Sequence, residues 1–377
     1  MRVVTLPALL CAMVGLPFAT PLRAETVGKT ILPEPQTSWF MMTDSNASYI
    51  FDAADGEMKG LISHSRFTPA LVTLPSRKEA YLVDSFYSRG VRGTRSDVLT
   101  IIDMRDLTAT AEVEIPAKAA ALRLRQHIAL LDDERHVIIF NMTPAQSVSV
   151  VDVVDRRFVG EIATPGCGII MPAGPRSFLM LCGDGTLQLI MLDPNGKEAE
   201  RVRSKPFFVM ETDPVFDRVV RSDSGWVLIT YDGLVREVGV DGNRIRVGDA
   251  WSMLNAEDKD AGSKTEQWRP GGEQPFTLHR SSSLLYSLMH KGKVDTPDAE
   301  GTEIWVFDTN RRKRVSREVL PVAALSILTS QEPAPRLYLF DKDKKLHIYD
   351  GRQLKLLRTI EKPRVNGPLL QTLTRDD

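Results

Sequence analysis

The chain has little cysteine: three among 377 residues, the first of which, Cys11, lies in the apolar N-terminal run. The other two, Cys167 and Cys182, lack C-x-x-C spacing, so a redox-active thiol pair is not expected. Charge of one sign is also lacking. Lys plus Arg number 48 against 49 Asp plus Glu, a net charge of -1. That balance gives no electrostatic case for nucleic acid or for a polybasic membrane anchor. Beyond the N-terminal run no second long apolar stretch occurs, so no membrane association is expected of the mature chain. G-x-S-x-G and H-E-x-x-H are absent, Gly28-Lys29-Thr30 lacks the upstream glycine of a P-loop, and the missing C-x-x-C-H excludes covalent c-type haem. The six histidines, His64, His127, His136, His279, His290 and His347, show no paired ligand spacing. No catalytic, cofactor-binding or metal-ligating residue is therefore expected in this chain.

What is present is a repeat. An alternating or apolar strand that stops on aspartate occurs seven times, ending at Asp52, Asp103, Asp152, Asp193, Asp241, Asp308 and Asp350. Successive aspartates are separated by 51, 49, 41, 48, 67 and 42 positions, and a period of roughly 40 to 50 residues is that of one four-stranded propeller blade. Aspartate suits such a strand end because its carboxylate accepts from backbone N–H groups two residues on. Asp-Gly or Asn-Gly pairs at Asp55-Gly56, Asp184-Gly185, Asn195-Gly196, Asp232-Gly233 and Asp241-Gly242 add hairpin signals. The expectation is an all-β, seven-bladed β-propeller of four-stranded antiparallel blades.

Met1-Arg2, the apolar stretch Val3 to Phe18 and Leu22-Arg23-Ala24 read as a secretory signal peptide cut near Ala24. The domain plan is a signal peptide over 1–24 and one propeller over 25–377, with an extended lead-in at 25–45. The mature chain is expected in an oxidising, periplasmic compartment. There Cys167 and Cys182 are expected to pair, since flanking glycines and the intervening Pro172, Gly174 and Pro175 let the chain fold back.

Four stretches break the blade rhythm. Arg89 to Arg95 places three arginines in a glycine-bearing loop, which reads either as a site for an anion or acidic partner or as a solvated loop. Ala250 to about Gly262 has no β-branched residue and reads as a short surface helix. Lys291 to Gly301 is a polar insertion between two strands, and Arg311-Arg312-Lys313-Arg314 reads as a solvated hairpin turn.

Specific strings then carry a resemblance. They are Tyr87-Ser88-Arg89-Gly90-Val91-Arg92-Gly93 with Thr94-Arg95-Ser96-Asp97, Cys167, Cys182-Gly183-Asp184-Gly185-Thr186-Leu187, Trp268-Arg269-Pro270-Gly271-Gly272, His279-Arg280 and Leu346-His347-Ile348-Tyr349-Asp350. Spread over about residues 45 to 370, they make the chain resemble the heavy subunit of the tryptophan tryptophylquinone amine dehydrogenases, the methylamine and aromatic amine dehydrogenase family. The resemblance implies a propeller with an intra-chain disulfide, paired with a small cysteine-rich light subunit in a periplasmic assembly of two heavy and two light chains. It places the tryptophan tryptophylquinone cofactor in the light subunit and implies oxidation of a primary amine, with electrons passed to an amicyanin- or azurin-like copper protein or a cytochrome. By position Phe67 resembles the family's channel-lining phenylalanine; its other reading is an ordinary blade-core aromatic. The chain departs from the family at Glu273 and Gln274-Pro275-Phe276, and in the Lys291 to Gly301 loop. The alternative to a dehydrogenase subunit is a stand-alone periplasmic binding or scaffold propeller.

Overall fold

In the computed structural model residues 31–67, 71–120, 122, 124–260 and 266–373 are described. The expected signal peptide and its cut near Ala24 lie outside them. All of the sheets lie within the compact unit Leu32–Asp377.

The seven repeated strands all form, and each takes the third place in a set of four antiparallel strands. Six of the terminal aspartates accept from backbone N–H groups of the turn that follows. Asp52 accepts from Ala54 N, Asp103 from Arg105 N, Asp152 from Val154 N and Asp155 N, Asp193 from Asn195 N, Asp308 from Arg311 N, and Asp350 from Arg352 N and Gln353 N. The carboxylate thus satisfies donors that the strand leaves behind at its end.

Five separate sheets of four or five strands follow one another along the chain, and the remaining strands form one eight-stranded sheet. The expectation of seven separate blades is corrected accordingly: five stand alone. The cause is the 17-residue strand Lys313–Thr329. Its first part pairs with Gly301–Asp308 and its last part with Arg336–Asp341, while Leu320 to Ala323 pair with neither. Pro321, which has no N–H to give a ladder, stands in that unpaired bridge. The bridge stays extended, and no turn divides the two four-strand sets.

Seven apolar clusters among the described residues lie between successive four-strand sets. One of them, built on Tyr286, Leu288, Ile304, Ile327, Leu337 and Leu339, joins the two halves of the eight-stranded sheet. Outermost strands such as Glu198–Arg203 are mostly exposed, which fits their charged sequence. The ring is closed by the C-terminal strand Leu369–Thr372, which pairs antiparallel with Trp39–Thr43. Strand structure thus begins at Trp39, where the run Trp39-Phe40-Met41-Met42 reads as strand-like.

Alternating strand direction sorts the connections onto two rims. Turns between the first and second strands, and the aspartate turns after the third, share one rim, here the turn face. Loops between the second and third strands, and the connections from one set to the next, share the other, the loop face.

Candidate functional site

Inner strands of several sets meet around the centre of the ring. A cavity of about 50 Å³ is lined by Val72, Gln126, Ala129, Ile170, Arg221 and Gln371, among others. Polar side chains there bond across to neighbouring inner strands: Gln126 Nε2 donates to Val219 O (3.1 Å), Thr73 Oγ1 to Leu373 O (3.2 Å) and Gln274 Nε2 to Leu370 O (3.0 Å). These contacts serve ring closure.

The loop face collects the singular stretches of the sequence. The Arg89–Arg95 and Lys291–Gly301 loops join second to third strands there, Phe67 lies in a set-to-set connection, and the strand Gln267–Pro270 pairs with the Lys291 end of Leu284–Gly292. Exposed apolar side chains gather on the same rim. Val91, Met142 and Val294 come from the loops, Phe86 and Leu234 from the strand ends beside them, and Leu122, Val209 and Met210 from the connections, each at least 39% exposed. On the turn face fewer large apolar residues are exposed to that degree among the described residues: Val154, Ile31 beside the Asp103 turn, and Met58 and Leu356, which open outer strands straight after aspartate turns. No local pattern signals this asymmetry, because it depends on which rim each connection occupies.

Phe67 is half-buried in the connection after Met58–Ser63 and belongs to none of the seven apolar clusters. Its ring meets Tyr87 edge-on at 5.2 Å between centroids, and the Arg66 guanidinium lies 6.0 Å from its centre. That placement sets it in a connection and not in a blade strand.

Of the three loop arginines, Arg95 is architectural. It donates to both carboxylate oxygens of buried Asp97 (2.7 Å each) and to Ala119 O (2.7 Å), and Asp97 also accepts from Ala119 N (2.9 Å). Arg89 and Arg92 remain exposed at the tip.

Cys167 and Cys182 are bonded and stand directly opposite each other on adjacent antiparallel strands, both buried. Arg203 covers the sulfur atoms, with Nη2 3.2 Å from Cys167 Sγ and Nη1 2.6 Å from Asp184.

The stretch read as a helix over 250–262 is shorter. Trp251–Ser252 pairs as a strand, and the helix spans Ala256–Asp260. Asn255 Oδ1 caps it through Asp258 N (2.9 Å), and buried Asp258 binds Arg314 Nη1 at 2.7 Å. Arg314 also stacks on Trp305 at 4.2 Å. The run read as a solvated turn holds for Arg311 and Arg312, whereas Arg314 is structural. The Trp268–Gly272 string packs its indole against Trp305 at 5.2 Å. A Cβ at Gly271 would meet His290 Nδ1 at 2.5 Å, so the chain passes there only as glycine.

The histidines are dispersed. His347 bridges Asp341 (2.8 Å) and Thr359 (3.0 Å), His279 bonds Ser282 and Glu332 O, and His290 bonds Thr296 (2.9 Å). Burial lowers the pKa of His279 and of His290, and pushes His127 down to about 4. Among the described residues no group of three or more His, Cys, Asp or Glu is placed to hold a metal, and no helix is long and apolar enough to cross a membrane.

Solved structures share this fold at low identity. A functionally unknown protein from Desulfotomaculum acetoxidans superposes with a TM-score of 0.59 at 11% identity, over 89% of this chain and 98% of that one. Dihydro-heme d1 dehydrogenase does so with 0.50 at 16%, over 92% and 78%. Sequence relatives are more telling. The methylamine dehydrogenase heavy chain of Methylophilus methylotrophus is 26% identical over 317 residues, 83% of this chain and 76% of the relative. That of Methylorubrum extorquens is 26% identical over 318 residues, 83% and 74%. The profile of the family described as methylamine dehydrogenase heavy chain matches residues 36–374, and on that match the chain belongs to the methylamine dehydrogenase heavy chain family.

Proposed function

We propose that the chain is the large, non-cofactor-bearing subunit of a periplasmic quinoprotein amine dehydrogenase, which oxidises a primary amine to aldehyde and ammonia. In this reading the eight-stranded sheet acts as two blades fused along Lys313–Thr329, giving a sevenfold ring. A small cysteine-rich light subunit docks on the loop face in an assembly of two heavy and two light chains, and a copper protein or cytochrome accepts the electrons. The observation that carries the reading is the unequal apolar exposure of the two faces. A lone chain gains nothing by leaving these side chains wet on one rim, and a partner that covers them recovers about 25 cal/mol for each Å² of apolar surface.

The tryptophan tryptophylquinone of the light subunit supplies the carbonyl that condenses with the amine and takes up its electrons. This chain's part is positional. Phe67, buttressed by Tyr87, walls the path to that group and excludes water from it, while Asp97–Arg95 and the Cys167–Cys182 bond fix the loops around it. The test is purification of the tagged chain from its native host during growth on amines, with a visible spectrum and a denaturing gel. A co-purifying small chain whose quinone absorbance bleaches with a primary amine supports the reading. A colourless lone chain overturns it in favour of a scaffold propeller.

A further inference from the structure

The hairpin of Glu79–Tyr87 and Arg95–Asp103 projects from the loop face. Both strands run nine residues, yet only Glu79 to Leu82 pair with the inner strand Leu71–Leu74. Val83, Asp84 and Ser85 run past that pairing but stay buried, held by Ser65, and the tip from Phe86 to Thr94 is what stands clear of the sheet. The tip is held by its own backbone: Ser88 N donates to Thr94 O (3.0 Å) and Arg89 N to Arg92 O (2.9 Å). Gly93 has φ +98°, and a Cβ there would lie 2.3 Å from Ser88 Oγ. Arg89 and Arg92 are therefore presented in a fixed turn with Val91 between them. At the base, the Phe67–Tyr87 contact brings in Arg66 from the neighbouring connection.

The carboxylates of these strands are already engaged. Asp84 accepts from Ser65 N (2.6 Å) and Thr100 Oγ1 (2.7 Å), and Asp97 holds Arg95. Arg66, Arg89 and Arg92 are exposed and make no ion pair among the described residues. The result is a preordered patch of three cations with Phe67, Phe86, Tyr87 and Val91. It projects rather than encloses, so its shape fits a protein surface better than a small anion, which favours a concave site. Guanidinium groups pair in a planar, two-pronged way with carboxylates, and apolar neighbours that exclude water strengthen such pairs.

We infer that this hairpin, with Arg66, docks an acidic segment of the small partner subunit, carboxylates meeting Arg89 and Arg92 and an apolar side chain seated on Phe86 and Val91. The inference rests on the reading of the chain as a large subunit. The test compares the tagged wild type, R89E/R92E and R66Q, each purified from the native host at low and high salt, with the co-purifying small chain as the probe. Wild type should retain it, R89E/R92E should retain about tenfold less at low salt and R66Q about twofold less, with the wild type's own retention weakening as salt rises. Melting temperatures should match, since these side chains are exposed. Undiminished retention by both variants overturns the inference and leaves the subunit reading intact; a wild-type chain that brings down no small partner overturns both.

Discussion

Gln274 holds Leu370 by both ends of its side-chain amide. Its Nε2 donates to Leu370 O and its Oε1 accepts from Leu370 N, each at 3.0 Å, across 96 positions of sequence. Its own backbone also bonds Leu325 and Ile327, so a single residue ties together inner strands from the eight-stranded sheet and the sheet that closes the ring. The role of Gln274 is thus architectural.

Replacing Gln274 with alanine leaves a buried donor and a buried acceptor of Leu370 unpaired, at a cost of about 2–4 kcal/mol. Equilibrium denaturation of Gln274→Ala should show that loss. An unchanged midpoint would mean that water or a shifted strand takes over the bonds.

Cys167 and Cys182 close a loop of 15 residues, for which chain-entropy models give about 3 kcal/mol. Mass spectrometry of the non-reduced protein should find the pair bonded, and Cys167→Ala/Cys182→Ala should lose stability of that order while keeping its β-sheet signal. Two free thiols in protein from the periplasm would contradict the pairing.

Burial, aided by Arg218 and opposed by Asp217, pushes His127 from 6.5 down to about 4. Between those values the unfolded chain binds a proton that the folded chain refuses, so stability falls as pH drops from about 6.5 to 4 and is unaffected above that window. The full loss is about 3 kcal/mol. His279 and His290, also lowered, act in the same direction. Denaturation across this range should show a shallower pH slope in His127→Phe than in wild type, by up to one proton; equal slopes would contradict the assignment.

Phe67 stands outside the apolar clusters, so Phe67→Ala should shift the melting temperature by only a few degrees, about 1 kcal/mol or less in stability. In the assembled enzyme the same change should alter KM and the relative rates on small and bulky primary amines, the signature of a wall residue. Unchanged preference would remove Phe67 from the amine's path.

Local chemistry made much of the fold legible. Alternation marks strands because side chains of a strand point to opposite faces, Asp marks their ends through bonds to nearby N–H groups, and Asp-Gly marks hairpins; all seven aspartate-ended strands are where the sequence placed them. The pairing of Cys167 with Cys182 was readable for the same reason, since the intervening hairpin is local. Continuity of Lys313–Thr329 was not, because the bridge from Leu320 to Ala323 is extended without a partner and no local pattern marks it.

The sequence by itself determined the all-β repeat, its turns and its disulfide, since these follow from residues within one blade. Only the tertiary structure decided which rim carries the exposed apolar residues, that Arg314 is pinned by Asp258 and Arg95 by Asp97 while Arg89 and Arg92 stay exposed, and that Gln274 fastens the ring. Each of these depends on bringing together segments that are distant in the chain, or on the face to which alternating strand direction assigns a loop, and no local pattern encodes either.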